Sequence, residues 1–313
     1  MKRTVLISGS TAIDQTGFYA GDFAEYESGY SINALNVSFQ LREMQTSFGG
    51  CAPNIAWGLT QLGITAIPLS SAGRNFRDRY LDHLVAHGID TSYIAINDDS
   101  DNCASCMMIN DEHGNQIIGF YPGPGSPDRK LPSEISEIND VALAILGPEM
   151  PNLALAQARD LSAVNVPMIF DPGQVISEYQ RAEIVELLSL ADILIVNDYE
   201  YSVLQKNSGL TPGKIIELVA EVVVTHGANG VEIITQEGII HVDALPDVRI
   251  VDVTGCGDAF RAGYTCGILE DLNPLGRGQF GCIMAMLNLT TPQTQNYKTS
   301  LSEIRSLQRK YYG

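Results

Sequence analysis

The chain reads as an α/β protein built on a doubly wound, mostly parallel sheet carrying a small inserted β-sheet. Three observations predict this. Short apolar runs recur along the chain, helical patterns separate them, and most of the runs end in Gly, Asp or Asn. Strands covered on both faces give continuous apolar runs, and parallel strands need helical crossovers between them. At 313 residues the chain can bury a substantial core, and it is read as a single domain over 1–313.

In chain order, TVLISG is the first buried strand. Two basic residues and a short apolar run precede STAID, too little for a secretory or membrane-spanning segment. The helical NIAWGLTQLG leads into the strand TAIPLSSAG, and FRDRYLDHLVAHG is the next amphipathic helix. VALAILG, PMIFDPG, DILIVND and EVVVTHG are later strands, with the helix RAEIVELLSLA among them. Open α/β sheets bind ligands beyond the carboxyl ends of their strands, so these endings mark the expected site.

Two segments break the rhythm. Residues 18–48, with SINALNVSFQLREMQTSF, roughly alternate apolar and polar residues. Residues 103–121, CASCMMINDEHGNQIIGFY, read as a hairpin around His113-Gly114-Asn115. Both predict half-buried antiparallel strands. Together they suggest a lid formed by about 15–48 and 92–121, whose exposed edge could pair two copies into a homodimer.

Composition narrows the partners. With 37 acidic against 19 basic residues the formal charge is −18, so neither nucleic acid nor an anionic membrane surface is an expected partner. The six cysteines are irregularly spaced, which favours free thiols and a cytoplasmic protein. Cys103 and Cys106 lack a second pair to complete a zinc site, and residues three apart on a strand face opposite ways. They read as structural thiols. His83 and His87 lack the glutamate of H-E-x-x-H and read as part of a charged surface helix; the role of the His226 side chain is left open.

The stretch VDVTGCGDAFRAGY, residues 251–264, carries the chemistry. It lacks the third glycine of a dinucleotide fingerprint, because residue 260 is Phe260. No P-loop is present either, since Ser208 and Ile215 occupy its required positions around Gly213-Lys214. What remains is T-G-C-G-D opening a helix, with Ala259, Phe260, Gly263, Tyr264 and Ile268 on one predicted face. Amides of Gly255, Cys256 and Gly257 can converge on developing phosphoryl charge, and Asp258 can take a proton from an attacking hydroxyl. A plain N-cap aspartate fits the spacing equally well.

At this stretch the chain resembles the ribokinase-like (PfkB) carbohydrate and nucleoside kinases, whose signature D-T/P-x-G-A-G-D stands here as Asp252 to Asp258, with Val253 and Cys256 departing from it. Further motifs follow in the family's order. GGCAPN resembles the first signature, so Gly49, Gly50 and Asn54 are implied to contact a sugar. In SGSTAID the resemblance makes Asp14, with Ser10 nearby, the sugar anchor. NDYE resembles N-x-x-E, which implies Asn197 at the ATP phosphates and Glu200 at Mg²⁺ through water. THGANG resembles the T-x-G-x-x-G turn, implying ATP contacts at Thr225, Gly227 and Gly230. The resemblance implies a ribokinase-like fold, ATP and Mg²⁺. It leaves open a monovalent cation such as K⁺.

QIIGFYPG, DPGQ and GDAFRAGY resemble the bacterial adenosine kinase branch. That resemblance implies a nucleoside acceptor, adenosine, with Phe120 stacking on the base for roughly 1–3 kcal/mol. Cys106 stands where a second base-facing aromatic is expected. A sugar kinase acting on ribose or fructose is the alternative enzyme, and a nucleoside or sugar sensor the non-enzymatic one. Asp258 argues against the sensor. The adenine of ATP is expected near Met286 to Thr291.

Overall fold

A computed structural model describes residues 3–23, 38–113 and 115–313. Its strands are β1 (Thr4–Ser8), β2 (Ala12–Tyr19), β3 (Leu41–Gly49), β4 (Thr65–Gly73), β5 (Ile94–Asn97), β6 (Ser105–Asn110) and β7 (Gln116–Tyr121). They continue as β8 (Val141–Leu146), β9 (Met168–Phe170), β10 (Ile193–Asn197), β11 (Glu221–Thr225), β12 (Val231–Thr235) and β13 (Gly238–Val242). The helices are α1 (Cys51–Gln61), α2 (Tyr80–Ala86), α3 (Pro151–Ala163), α4 (Arg181–Leu190), α5 (Asp198–Ser208) and α6 (Pro212–Ile215). The last three are α7 (Cys256–Leu269), α8 (Pro274–Leu289) and α9 (Leu301–Tyr312).

The main sheet runs β13-β12-β11-β10-β9-β8-β1-β4-β5, parallel from β11 through to β5 and antiparallel at β12 and β13. The expected doubly wound sheet is therefore present, and its apolar runs are buried on both faces. Along β1, Val5 and Ile7 join the core beneath α1, α7 and α8. Leu6 joins the opposite core with α3, α4 and α5. Strand order reverses at β1, between β8 and β4, and ligands bind at such a switch point.

The second sheet has the order β3-β2-β6-β7. The sequence predicts antiparallel strands throughout, but its central pair, β2 with β6, is parallel. The reason lies where the chain leaves the main domain: Ala12 and Ala104 bridge side by side in the same direction, and Ile13 N–H donates to Ala104 O at 2.8 Å. Residues 94–97 of the expected lid instead form β5, which pairs with Ser70–Gly73 of β4. The lid also begins earlier than expected, at Ala12. Residues 24–37 of the first lid segment and Gly114 of the hairpin lie outside the described residues. β7 is exposed along its length rather than half-buried, and it presents Ile117, Ile118 and Phe120 to solvent.

α7 departs from its predicted one-sided pattern: residues 259–267 are all buried, Arg261 included. It is enclosed between α1 and α8. A side chain on Gly263 would strike the Phe280 carbonyl of α8, and one on Gly267 would meet the Arg277 backbone. Among the described residues, no helix is long and apolar enough to cross a membrane.

Gly263→Val should therefore separate α7 from α8 and lower the unfolding free energy by at least about 1–3 kcal/mol, the cost of overpacking a core. Urea denaturation measures this, and an unchanged midpoint would show that the helices can part without penalty.

Candidate active site

A cavity of about 670 Å³ opens at the carboxyl ends of the parallel strands. Ser10 and Asp14 reach it after β1, Asp171 after β9, Asn197 at the end of β10 and Thr225 at the end of β11. Gly255, Gly257 and Asp258 reach it from the start of α7. Most of the residues singled out in the sequence are thus brought together from segments far apart in the chain.

The T-G-C-G-D loop is fastened from both sides. Asp252 accepts the N–H groups of Thr254 (2.9 Å) and Gln293 (3.0 Å), and Asn288 Nδ2 donates to Thr254 O at 2.7 Å. Gly255 caps α7 at φ 74°, a conformation that favours glycine, and a side chain there would press on Thr294. The N–H groups of Gly255 and Gly257 have no acceptor among the described residues, so they remain available to a ligand. Cys256 differs: its N–H donates to Val253 O at 3.3 Å, and the residue does not line the cavity. The turn closes on itself at that amide, so its N–H is engaged within the chain.

Asp258 lines the cavity and accepts a hydrogen bond from Asn54 Nδ2 at 2.8 Å. Burial pushes its carboxyl up to about 6, opposed by the Asn54 bond and by the charge of Arg261 and reinforced by Asp171 and Asp14. Arg261 is pinned by a buried ion pair to Asp171, with Nη2 to Oδ1 at 2.6 Å, and donates to Gly257 O at 3.0 Å. Asn54 also accepts from Gln295 Nε2 at 2.8 Å. Its amide is therefore committed first to the aspartate and to Gln295, a role the sequence does not disclose.

Asp14 accepts Cys106 N–H at 2.8 Å through Oδ1, and burial raises its carboxyl above the usual range. Gly49 does not line the cavity. It is glycine because a Cβ there would collide with the Asp14 carboxylate, while Gly50, at φ 92°, passes against the Ser10 carbonyl. Asn197 caps α5 and exchanges bonds with Glu200, whose buried carboxyl is raised by desolvation and by Asp171. Gly227 lines the cavity and has open space where a side chain would lie, whereas Gly230 is held against the Val242 carbonyl. Gly230 is thus a packing glycine rather than part of the cavity wall. Met286 to Thr291 do not line the cavity either.

Neither Phe120 nor its cross-strand partner Cys106 lines this cavity, and Cys106 meets it through its N–H bond to Asp14. Phe120 lines a second cavity of about 430 Å³ that shares Ser10, Pro148 and Gln174 with the first. Its walls are largely apolar, with an Arg129–Glu149 ion pair among the lining groups. Arg129 Nη2 is also held by Ser8 Oγ at 2.9 Å and Leu69 O at 2.8 Å.

The lining of the first cavity also bears on ATP and Mg²⁺. Asp14, Asp171, Asp198, Glu200 and Asp258 face one guanidinium, Arg261, which is already paired. A polyphosphate would meet net negative charge here, and hard carboxylate oxygens beside retained water are the donor set that suits Mg²⁺. The open space at Gly227 and the unengaged Gly255 and Gly257 amides fit phosphate oxygens. His226, given no role from sequence, also lines this end.

The profile of the pfkB family carbohydrate kinases matches residues 5–300. A nucleoside kinase of Methanothermobacter thermautotrophicus is 28% identical over 298 residues, covering 94% of this chain and 91% of that protein. The structure of Burkholderia thailandensis nucleoside kinase in complex with inosine superposes with TM-score 0.84 at 31% identity, covering 97% of this chain and 96% of that one. A Methanocaldococcus jannaschii nucleoside kinase shares the fold, with TM-score 0.85 at 21% identity over 99% of both chains.

Asp171→Ala should leave the Arg261 charge buried without its partner and cost about 3–5 kcal/mol of stability. Chemical denaturation tests this, and a loss under 1 kcal/mol would mean that solvent reaches the guanidinium.

Proposed function

Because the chain belongs to the pfkB family of carbohydrate kinases, enzymes that move a phosphoryl group to an alcohol, we propose that its acceptor is a nucleoside and its phosphate donor ATP. The observation that carries the nucleoside reading is the pair of joined cavities. One holds Asp14 and Asp258, groups suited to sugar hydroxyls. The other, reached past Ser10, has apolar walls and Phe120 for a flat base. A free sugar would leave the second cavity without an occupant. The nucleoside kinase relatives point the same way.

In this reading Asp14 accepts bonds from the ribose hydroxyls and directs the 5′-hydroxyl toward Asp258. Asp258 accepts the hydroxyl proton as that oxygen attacks the terminal phosphorus of ATP in line, and the bridging oxygen leaves with ADP. The Gly255 and Gly257 amides stabilise charge on the transferred group. Mg²⁺, when bound, neutralises phosphate charge, and Glu200 with Asn197 would hold it through water. Thr225 and Gly227 line the phosphate end. The lid strands β2 and β6, joined to Asp14 through Cys106 N–H, would shield the reaction from water.

The test is ATP consumption with adenosine, inosine, ribose and fructose as acceptors. Turnover of the nucleosides over the free sugars supports the reading, and the reverse order overturns it in favour of a sugar kinase. Asp258→Asn should cut kcat roughly 10²–10⁴-fold while ATP binding persists. Near-normal turnover in the folded variant would remove Asp258 from the chemistry. The sign of the pH dependence follows from its raised carboxyl, which accepts a proton only when ionised. Thus kcat/KM should fall as pH drops through about 6 and level off above it. Phe120→Ala should raise KM for nucleosides about 5- to 150-fold, the equivalent of one lost stacking contact, with little change for ribose. An equal effect on both would make Phe120 a lid residue only.

A further inference from the structure

We propose that Gln295 is a positioning residue for phosphoryl transfer: it fixes which end of the Asn54 amide faces Asp258. The inference rests on Asp258 being the base, and it concerns a residue far from the motifs that identify the site.

The directions of the hydrogen bonds can be assigned one by one. The Gly49 carbonyl can only accept, so Tyr80 O–H donates to it at 2.7 Å. The Tyr80 oxygen must then receive, and Gln295 Nε2 lies 2.7 Å away. The second hydrogen on Nε2 goes to Asn54 Oδ1 at 2.8 Å. Gln295 Oε1 is left facing His83 Nε2 at 3.0 Å, which donates. With Oδ1 occupied, Asn54 presents Nδ2 to Asp258 Oδ2 at 2.8 Å. Turning either amide over sets acceptor against acceptor, and if Asn54 turns, an amide oxygen meets the carboxylate.

Burial gives this chain its force. Tyr80 is 0%, Gln295 3% and Asn54 5% exposed, so water cannot readily replace a lost bond. Desolvation holds the Tyr80 phenol protonated well above its ordinary range, which keeps it a donor. Burial and the neighbouring His87 lower the His83 imidazole, which favours its neutral form, and because Gln295 Oε1 can only accept, Nε2 is the nitrogen that donates. The charged groups facing Asp258 are Asp14 from β2, Asp171 after β9 and Arg261 on its own helix. Cys51, Cys256, Tyr80 and Tyr297 are neutral around it. None of these turns the Asn54 amide except Tyr80, acting through Gln295. The anchor of the chain, Gly49, ends the lid strand β3, so the orientation of Asn54 is tied to the seat of the lid.

The experiment compares Gln295→Glu, which once ionised cannot donate to Asn54, with the apolar Gln295→Met, which cannot donate at any pH, each alone and combined with Asn54→Ala. The carboxyl of Asp258 is titrated in the free protein by NMR with ¹³C-labelled aspartate, its signal identified by loss in Asp258→Asn. kcat, KM and the pH profile are measured with ATP and with adenosine and inosine in turn. For Gln295→Glu we expect the Asp258 titration and the acid limb of kcat to move to higher pH. We expect kcat to fall roughly ten- to hundredfold, the loss of one charge-assisted bond, with KM within about twofold. Gln295→Met should show the same changes to a smaller degree, and neither change should add to Asn54→Ala. An unmoved Asp258 titration overturns the inference, as does additivity with Asn54→Ala or a loss confined to thermal stability. If Gln295→Glu does not fold, Gln295→Met decides by the same titration. The NMR result is independent of the acceptor. An inactive wild-type enzyme would therefore count against the nucleoside reading, and an unmoved titration against Gln295.

Discussion

The hydrogen bond from Asn54 to Asp258 joins residues 204 positions apart, and the site depends on it. Burial raises a carboxyl withdrawn from water, and the Asn54 bond opposes that rise at Asp258. Bringing the two together requires two buried helices to approach closely. One turn beyond Asn54 on α1 stands Gly58, and one turn beyond Asp258 on α7 stands Ala262. A side chain on Gly58 would strike the Ala262 methyl. This small pair sets the spacing, and the polar pair one turn away uses it. The helices are apolar around nearly their whole circumference because each is covered on all sides, so the contact cannot shift without disturbing the core.

Charge imposes the second constraint. A chain of formal charge −18 gathers five carboxylates around the cavity and commits its one lining guanidinium to Asp171. The guanidinium that lines the cavity is spent on internal order, which leaves peptide N–H groups as the donors facing an anionic ligand. The left-handed Gly255 frees such groups at the start of α7. Burial in the same arrangement, with Asp171 and Asp14 nearby, raises the Asp258 carboxyl.

The lid is tied to the cavity and its supports by specific bonds. Asp14, on β2, holds the backbone of β6 through Cys106. Gly49, at the end of β3, takes the Tyr80 hydroxyl, and Thr294 donates to Phe48 O at 2.8 Å. The segment from Gln293 to Gln295 therefore touches the T-G-C-G-D loop, the lid strand and Asn54 together. It lies between two helices and has no recognisable motif, yet it is where these parts meet.

Periodicity and local chemistry were enough to read from the sequence the alternating strands and helices, the doubly wound sheet and the helix opening at Gly255, while Asp258 by spacing alone reads equally well as an N-cap. These are consequences of burial and backbone freedom that act over a few residues. Asp14, Asn197 and Thr225 are singled out through the resemblance of their motifs to a known family, since by local pattern alone they read as a loop acid, a helix cap and an ordinary turn. Partners could not be read in the same way. That β5 joins the main sheet and that His83 bonds to Gln295 depend on segments far apart in the chain coming together. Gln295 and Asn288 are polar residues without pattern, and they matter because the fold buries them beside the groups they bond, Asn54 and Tyr80 for Gln295 and the Thr254 carbonyl for Asn288. A one-dimensional pattern records which groups are to be buried, whereas their hydrogen-bond partners are selected only when distant segments exclude water from between them.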